Sequence, residues 1–138
     1  MGKMKAINPY LTFNGNCAQA MTFYESCLGG NLFMMPYAEA PMPEFNKVKD
    51  RILHATLKKG AAIVMAADSM PGQPYNPGNN VHLSIDCESL QEIQTIFGAL
   101  AEKGRIDMPL QDTFWGSHFG MLTDQFGVQW MLSFDKTS

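Results

Sequence analysis

Asn16-Cys17-Ala18-Gln19-Ala20-Met21-Thr22-Phe23-Tyr24-Glu25-Ser26-Cys27-Leu28-Gly29-Gly30 decides the fold. Cys17, Ala20, Met21, Tyr24, Cys27 and Leu28 recur at the spacing of one apolar helix face, which predicts an amphipathic helix. Asn16 is placed to cap it, and Gly29-Gly30 to stop it. Upstream, Ile7 to Phe13 alternates as a strand. Downstream stand three more apolar stretches, Leu32 to Tyr37, Arg51 to Lys58 and Ala61 to Ala67, the last two joined by a tight Lys59-Gly60 turn.

The same plan returns about 72 residues later, as an internal repeat. Val81 to Ile85 is the opening strand. Ser89 followed by Glu92 forms a capping box for a helix carrying Leu90, Ile93, Phe97, Leu100 and Ala101, which Gly104 ends. Arg105 to Leu110, Phe119 to Thr123 and Val128 to Phe134 complete the copy, with Gly127 at the last turn. The expected architecture is therefore α+β, a single domain over 1–138 made of two βαβββ modules at 5–67 and 80–138. A Pro/Gly-rich linker at 68–79 joins them. A second Pro-rich stretch, Pro36 to Asp50, interrupts the first copy, and long segments of this kind often cover a ligand site.

Composition narrows the function. The chain has 138 residues and 46% apolar content, enough for a core without metal or disulfide staples. Lys and Arg number 10 against 13 Asp and Glu, a net charge of −3, and no run of like charge offers a surface to nucleic acid or an anionic membrane. The longest apolar run, Ala61 to Ala67, is far short of a membrane span. Three cysteines leave one unpaired, and Cys17 and Cys27 lie too far apart along one helix to bridge. The expectation is a soluble protein with reduced thiols, in the cytoplasm.

Strand alternation sorts side chains by face. With Leu53, Ala55 and Leu57 covering a helix, Ile52, His54 and Thr56 point to the other side. With Val81, Leu83 and Ile85 covering the second helix, Asn80, His82 and Ser84 point away from it. In the first strand Asn8, Tyr10 and Thr12 do the same, and Asn8 and Asn80 fall at matching positions of the repeat. Polar residues from three strands thus gather on helix-free sheet faces. Trp115 and Tyr10 are suited to stack on a ligand, and four of the eleven methionines, Met34, Met65, Met121 and Met131, lie in strands beside it.

Asn8-Pro9-Tyr10-Leu11-Thr12-Phe13-Asn14-Gly15 leading to Ala20-Met21-Thr22-Phe23-Tyr24 carries a resemblance, as do Asp112-Thr113-Phe114-Trp115-Gly116 and Asp124-Gln125-Phe126-Gly127-Val128-Gln129-Trp130-Met131-Leu132. They resemble the PhnB-like branch of the vicinal oxygen chelate superfamily, which includes glyoxalase I, extradiol dioxygenases and bleomycin-resistance proteins. The resemblance spans essentially the whole chain. It implies two βαβββ modules whose sheets form a curved, open cleft. A methyltransferase label sometimes attached to this branch is set aside, because no glycine-rich loop follows the first strand to receive a nucleotide-like methyl donor.

In metal-dependent members each module supplies two ligands to one divalent ion, at positions that correspond to Asn8 and His54, and to Asn80 and Met131. Only His54 is a good ligand, and His82 could replace one more. No carboxylate occupies these positions, so no metal ligand and no cofactor is assigned. The expected function is binding of a small organic molecule, or its metal-independent conversion, in the cleft between the modules. A divalent-metal lyase, isomerase or dioxygenase of the glyoxalase kind is the alternative. His54 and His82 are the candidate catalytic residues, expected to line one cleft. Asn8, Tyr10, Thr56, Asn80, Ser84, Trp115 and Met131 are the candidate ligand contacts. A symmetric homodimer is expected, because Val128 to Phe134 would be a poor sheet edge to leave in water.

Overall fold

Pro9 has no backbone N–H, so the first strand cannot form where the apolar pattern begins. In the computed structural model, which describes residues 2–40, 43, 48–70 and 72–136, β1 runs only over Tyr10–Phe13. Ile7 is 84% exposed, and Asn8 precedes the strand. Pro9 contributes its carbonyl alone, accepting a hydrogen bond from Met65 N–H. The elements then follow as α1 (Cys17–Leu28), β2 (Asn31–Pro36), β3 (Ile52–Lys59), β4 (Ala62–Asp68), β5 (Leu83–Cys87), α2 (Leu90–Ala101), β6 (Arg105–Asp112), β7 (Ser117–Thr123) and β8 (Gln129–Asp135). They divide into two compact units that meet at Asn76 and Pro77.

Each unit is one βαβββ module. The first sheet has the order β1-β4-β3-β2 and the second β5-β8-β7-β6, with β1 parallel to β4 and β5 parallel to β8. The remaining neighbours are antiparallel. β8 therefore lies inside its sheet, between β5 and β7, and corrects the expectation that it forms an open edge. The sequence neighbours of β8 do not reveal its parallel partner, which sits across a helix and two strands. The edge strand β6 carries two register irregularities and an exposed proline, Pro109, features that discourage pairing with another chain.

The core of the first module places Cys17, Ala20, Met21 and Tyr24 of α1 against Ala55, Leu57 and Ala66 of β3 and β4. In the second, Ile93, Phe97 and Leu100 of α2 cover Leu122, Trp130 and Leu132. Close approach explains Gly120: a Cβ there would stand 2.8 Å from Phe97 Cε2 and 2.9 Å from Leu110 Cδ2.

The helix caps differ from the sequence reading in an informative way. Ser89 Oγ accepts from Glu92 N–H at 3.0 Å as the capping box requires, although Glu92 Oε1 reaches Glu88 N–H at 2.8 Å. Asn16 makes no side-chain cap. Asp68 replaces it from the end of β4: Oδ1 accepts from Gly15 N–H at 2.7 Å and Cys17 N–H at 3.0 Å, and Oδ2 from Ile52 N–H at 2.8 Å. A carboxylate there also meets the positive end of the helix dipole. Asp68 and Ser69, both buried, thus belong to the first module rather than to a linker beginning at 68. The Lys59-Gly60 turn is displaced by one residue, since Lys59 pairs with Ala62 and the loop is Gly60-Ala61. Of the interrupting segment, Pro36 ends β2 and buried Tyr37 begins a short turn, while 41–42 and 44–47 lie outside the described residues.

Candidate functional site

Register assigns faces directly. In the first module Leu11, Ala66, Ala55 and Met34 form one row across all four strands, and the complete burial of Ala55 and Ala66 marks it as the side under α1. The next row, Tyr10, Met65, Thr56 and Phe33, must point the other way, as must His54 with its partner Met35 and Thr12 with its partner Ala67. This helix-free face is apolar and partly open, with Tyr10 49% and Phe33 54% exposed. Lys58 is the sole charged side chain among its paired positions.

Three of the sequence-identified residues meet on it. Tyr10 Oη lies 3.0 Å from His54 Nδ1, and Thr56 Oγ1 lies 2.9 Å from His54 Nε2. The phenol and imidazole rings are 5.8 Å apart and tilted. Burial, with a smaller contribution from Cys17, holds the Tyr10 phenol above its ordinary pKa, so it remains a hydrogen-bond donor. Both nitrogens of the imidazole are thereby engaged by hydroxyls.

The second module presents a different surface. Its helix side is marked by buried Leu132 and Gly120, so Ser84, Met131 and Met121 form the corresponding helix-free row, to which Met108 is paired. The next row holds Asp86, Ser133 and Phe119, and Ser133 Oγ donates to Asp86 Oδ1 at 3.1 Å. Trp115, in the loop between β6 and β7 and 58% exposed, stands edge-on to Phe119 with centroids 6.3 Å apart. A cavity of about 520 Å³ opens nearby, lined by Asp86, Ser117, Ser133 and Asp135 among others and by no basic residue.

Tyr10 opposes Met65 in the first module, and Ser84 opposes Met131 in the second. Neither Asn8 nor His82 lies in a strand, because β1 begins at Tyr10 and β5 at Leu83. Asn80 is exposed in a bend before β5. The hydroxyl–imidazole cluster of Tyr10, His54 and Thr56 lies wholly in the first module. His82 is in the second module, just before β5 and within electrostatic reach of Asp107.

Charged side chains outside the candidate set complete the electrostatics. Arg105 Nε donates to Asp107 Oδ1 at 2.6 Å and Thr123 Oγ1 to Oδ2 at 2.7 Å, and these two bonds hold the Asp107 carboxyl below the usual range. His118 Nδ1 lies 2.9 Å from Asp112 Oδ1, and Lys136 Nζ 3.2 Å from Oδ2, which lowers Asp112 likewise. Asp124, buried, accepts from Phe126 and Val128 N–H and from Trp130 Nε1. Two of the thiols are disfavoured as thiolates by environment: burial, then Asp68, pushes Cys17 up to about 12, and burial, then Glu92 and Asp86, pushes Cys87 up to about 11.

The donor set does not suit a divalent ion. Of the four positions that the resemblance points to, His54 has both nitrogens engaged, and Asn8, Asn80 and Met131 are weak ligands for first-row divalent metals. Among the described residues no three His, Cys, Asp or Glu side chains are grouped to hold a metal.

Residues 6–132 match the family described as the Glyoxalase/Bleomycin resistance protein/Dioxygenase superfamily. Protein YjdN of Escherichia coli K12 is 32% identical over 142 aligned residues, covering 94% of this chain and 95% of YjdN. The crystal structure of protein PA1353 from Pseudomonas aeruginosa superposes with a TM-score of 0.88 at 43% identity, covering 96% of this chain and 98% of that one. The PhnB protein from Bacillus cereus gives a TM-score of 0.76 at 29% identity, covering 94% and 99%.

Proposed function

The chain belongs to the glyoxalase/bleomycin resistance protein/dioxygenase superfamily, and on that premise we propose that it binds a small organic molecule without a metal ion, against the helix-free sheet face of its first module. The observation that carries this reading is the Tyr10–His54–Thr56 cluster, set among the apolar side chains of Phe33, Met35 and Met65. A few fixed polar groups on an apolar floor are what small-molecule sites share. An imidazole between two hydroxyls can also hold and pass on a proton, so binding and metal-independent conversion draw on the same residues. Ser84 and Met131 line the helix-free face of the second module and Trp115 stands against Phe119 of the same module, so these three are the ligand contacts proposed there.

The glyoxalase-like metal reaction is the competing account, and the donor set above argues against it. Metal analysis of untagged protein, together with a ligand-binding screen of wild type and His54→Phe, separates the two. Ligand capture by metal-free protein that His54→Phe weakens supports the reading. One equivalent of zinc, nickel, manganese or iron that survives dialysis overturns it.

A homodimer and a cytoplasmic setting belong to the same proposal. Phe33 is apolar, exposed and carried on the edge strand β2, surface that a second chain would cover. All three cysteines are free thiols, as in a reducing compartment. No helix among the described residues is long and apolar enough to cross a membrane.

A further inference from the structure

His54 has two neutral tautomers, and its neighbours do not treat them alike. In one, Tyr10 O–H donates to Nδ1, Nε2–H donates to Thr56 Oγ1, and the Thr56 proton is left over. In the other the chain runs backwards: Thr56 O–H donates to Nε2, Nδ1–H donates to the Tyr10 oxygen, and the phenol proton is left over. A lone pair on imidazole gains more from the stronger acid, and a phenol is a far stronger acid than an aliphatic alcohol. The first direction is therefore favoured, and each bond in the chain polarises the next.

We propose that Tyr10 is a positioning residue that holds His54 as the Nε2–H tautomer, so that the Thr56 hydroxyl is the donor presented to an acceptor oxygen of the ligand. This rests on the reading of the first module's face as the ligand site and assigns the class of ligand: a largely apolar, planar molecule with a carbonyl or enolate oxygen. The surroundings fit that class. Phe33, Met35 and Met65 are apolar floor, and the face carries no carboxylate that would select a cation. An oxygen that gains negative charge meets a donor already polarised by two hydrogen bonds behind it. The two helix-free rows described in the second module, Ser84, Met131 and Met121, and Asp86, Ser133 and Phe119, hold no imidazole.

The tautomer is read without any ligand, from long-range ¹H–¹⁵N correlations of ¹⁵N-histidine-labelled protein. Wild type and Thr56→Ser are expected to show a protonated Nε2 and an unprotonated Nδ1 for His54. Tyr10→Phe is expected to lose that pattern, with Nδ1–H appearing instead. An Nδ1–H tautomer in wild type, or an unchanged pattern in Tyr10→Phe, overturns the proposal.

The donor role is read with acetophenone labelled with ¹³C at the carbonyl. Its resonance should move downfield on binding to wild type and to Thr56→Ser, and lose that movement with Thr56→Val. Saturable binding with the same carbonyl shift in Thr56→Val overturns the donor role. Absence of saturable binding contradicts the ligand-site reading, and does so separately from the tautomer result.

Discussion

Asp68 Oδ1 accepts a hydrogen bond from Cys17 N–H at 3.0 Å, so the last residue of β4 caps the first turn of α1 across more than fifty residues of sequence. The same carboxylate holds Gly15 and Ile52, tying helix, loop and β3 at one buried point. Asp68→Asn keeps the size but replaces one acceptor oxygen with a donor that faces an N–H. Hydrogen bonds to charged groups contribute about 1.5–3 kcal/mol each, so this variant should lose roughly 3 kcal/mol of unfolding free energy. Urea denaturation checks it, and a midpoint equal to wild type would mean that Asp68 does not cap α1.

Gly120 is expected to be intolerant of a single methyl. Gly120→Ala places Cβ 2.8 Å from Phe97 Cε2, and overpacking of this kind costs about 1–3 kcal/mol. The pair should couple: Gly120→Ala should destabilise less in a Phe97→Leu background than in wild type. Additive losses in a double-mutant cycle would show that the contact is not the cause.

Asp107 predicts an acid-limb effect. Its folded pKa lies below the ordinary value because of Arg105 first and Thr123 second. A depressed carboxyl adds stability that is fully present above the unfolded value of about 3.9 and lost as pH falls through the folded value. Wild type should therefore exceed Asp107→Asn in urea midpoint at pH 6, with the gap closing toward pH 2. A gap that persists at pH 2 would assign the effect to something other than ionisation.

Cys17 and Cys87 should resist alkylation in the native state. With thiols pushed up to about 12 and about 11, almost no thiolate exists at pH 8, and both side chains are buried. Mass spectrometry after brief iodoacetamide treatment should find both unmodified until denaturant is added. Rapid native labelling at Cys17 would contradict the burial of α1's first turn.

Much of this was legible in the sequence because it is local. The α1 spacing from Cys17 to Leu28, the Ser89 and Glu92 pair, and the alternation that puts His54 and Thr56 on one face follow from neighbours within a few residues. What escaped depends on distant chain. Asp68 reads as the first residue of a loop until its partners at Gly15, Cys17 and Ile52 are known. The apolar pattern from Ile7 suggests a longer first strand, but Pro9 withholds an N–H and β1 begins only at Tyr10, leaving Asn8 outside it. β8 looked like an edge because its parallel partner β5 is separated from it by α2, β6 and β7.

The methionines offer the most direct measurement of where a ligand sits. Met35 and Met65 lie on the helix-free face beside His54 and Thr56, whereas Met34 is paired on the opposite face and Met21 is buried in α1. Methyl spectra of ¹³C-methionine-labelled protein titrated with acetophenone should show saturable shifts at Met35 and Met65, little change at Met21 and Met34, and loss of the effect in His54→Phe. Shifts confined to Met21 and Met34, or no saturable shift at Met35 and Met65, would contradict the assignment of the first module's open face as the ligand site.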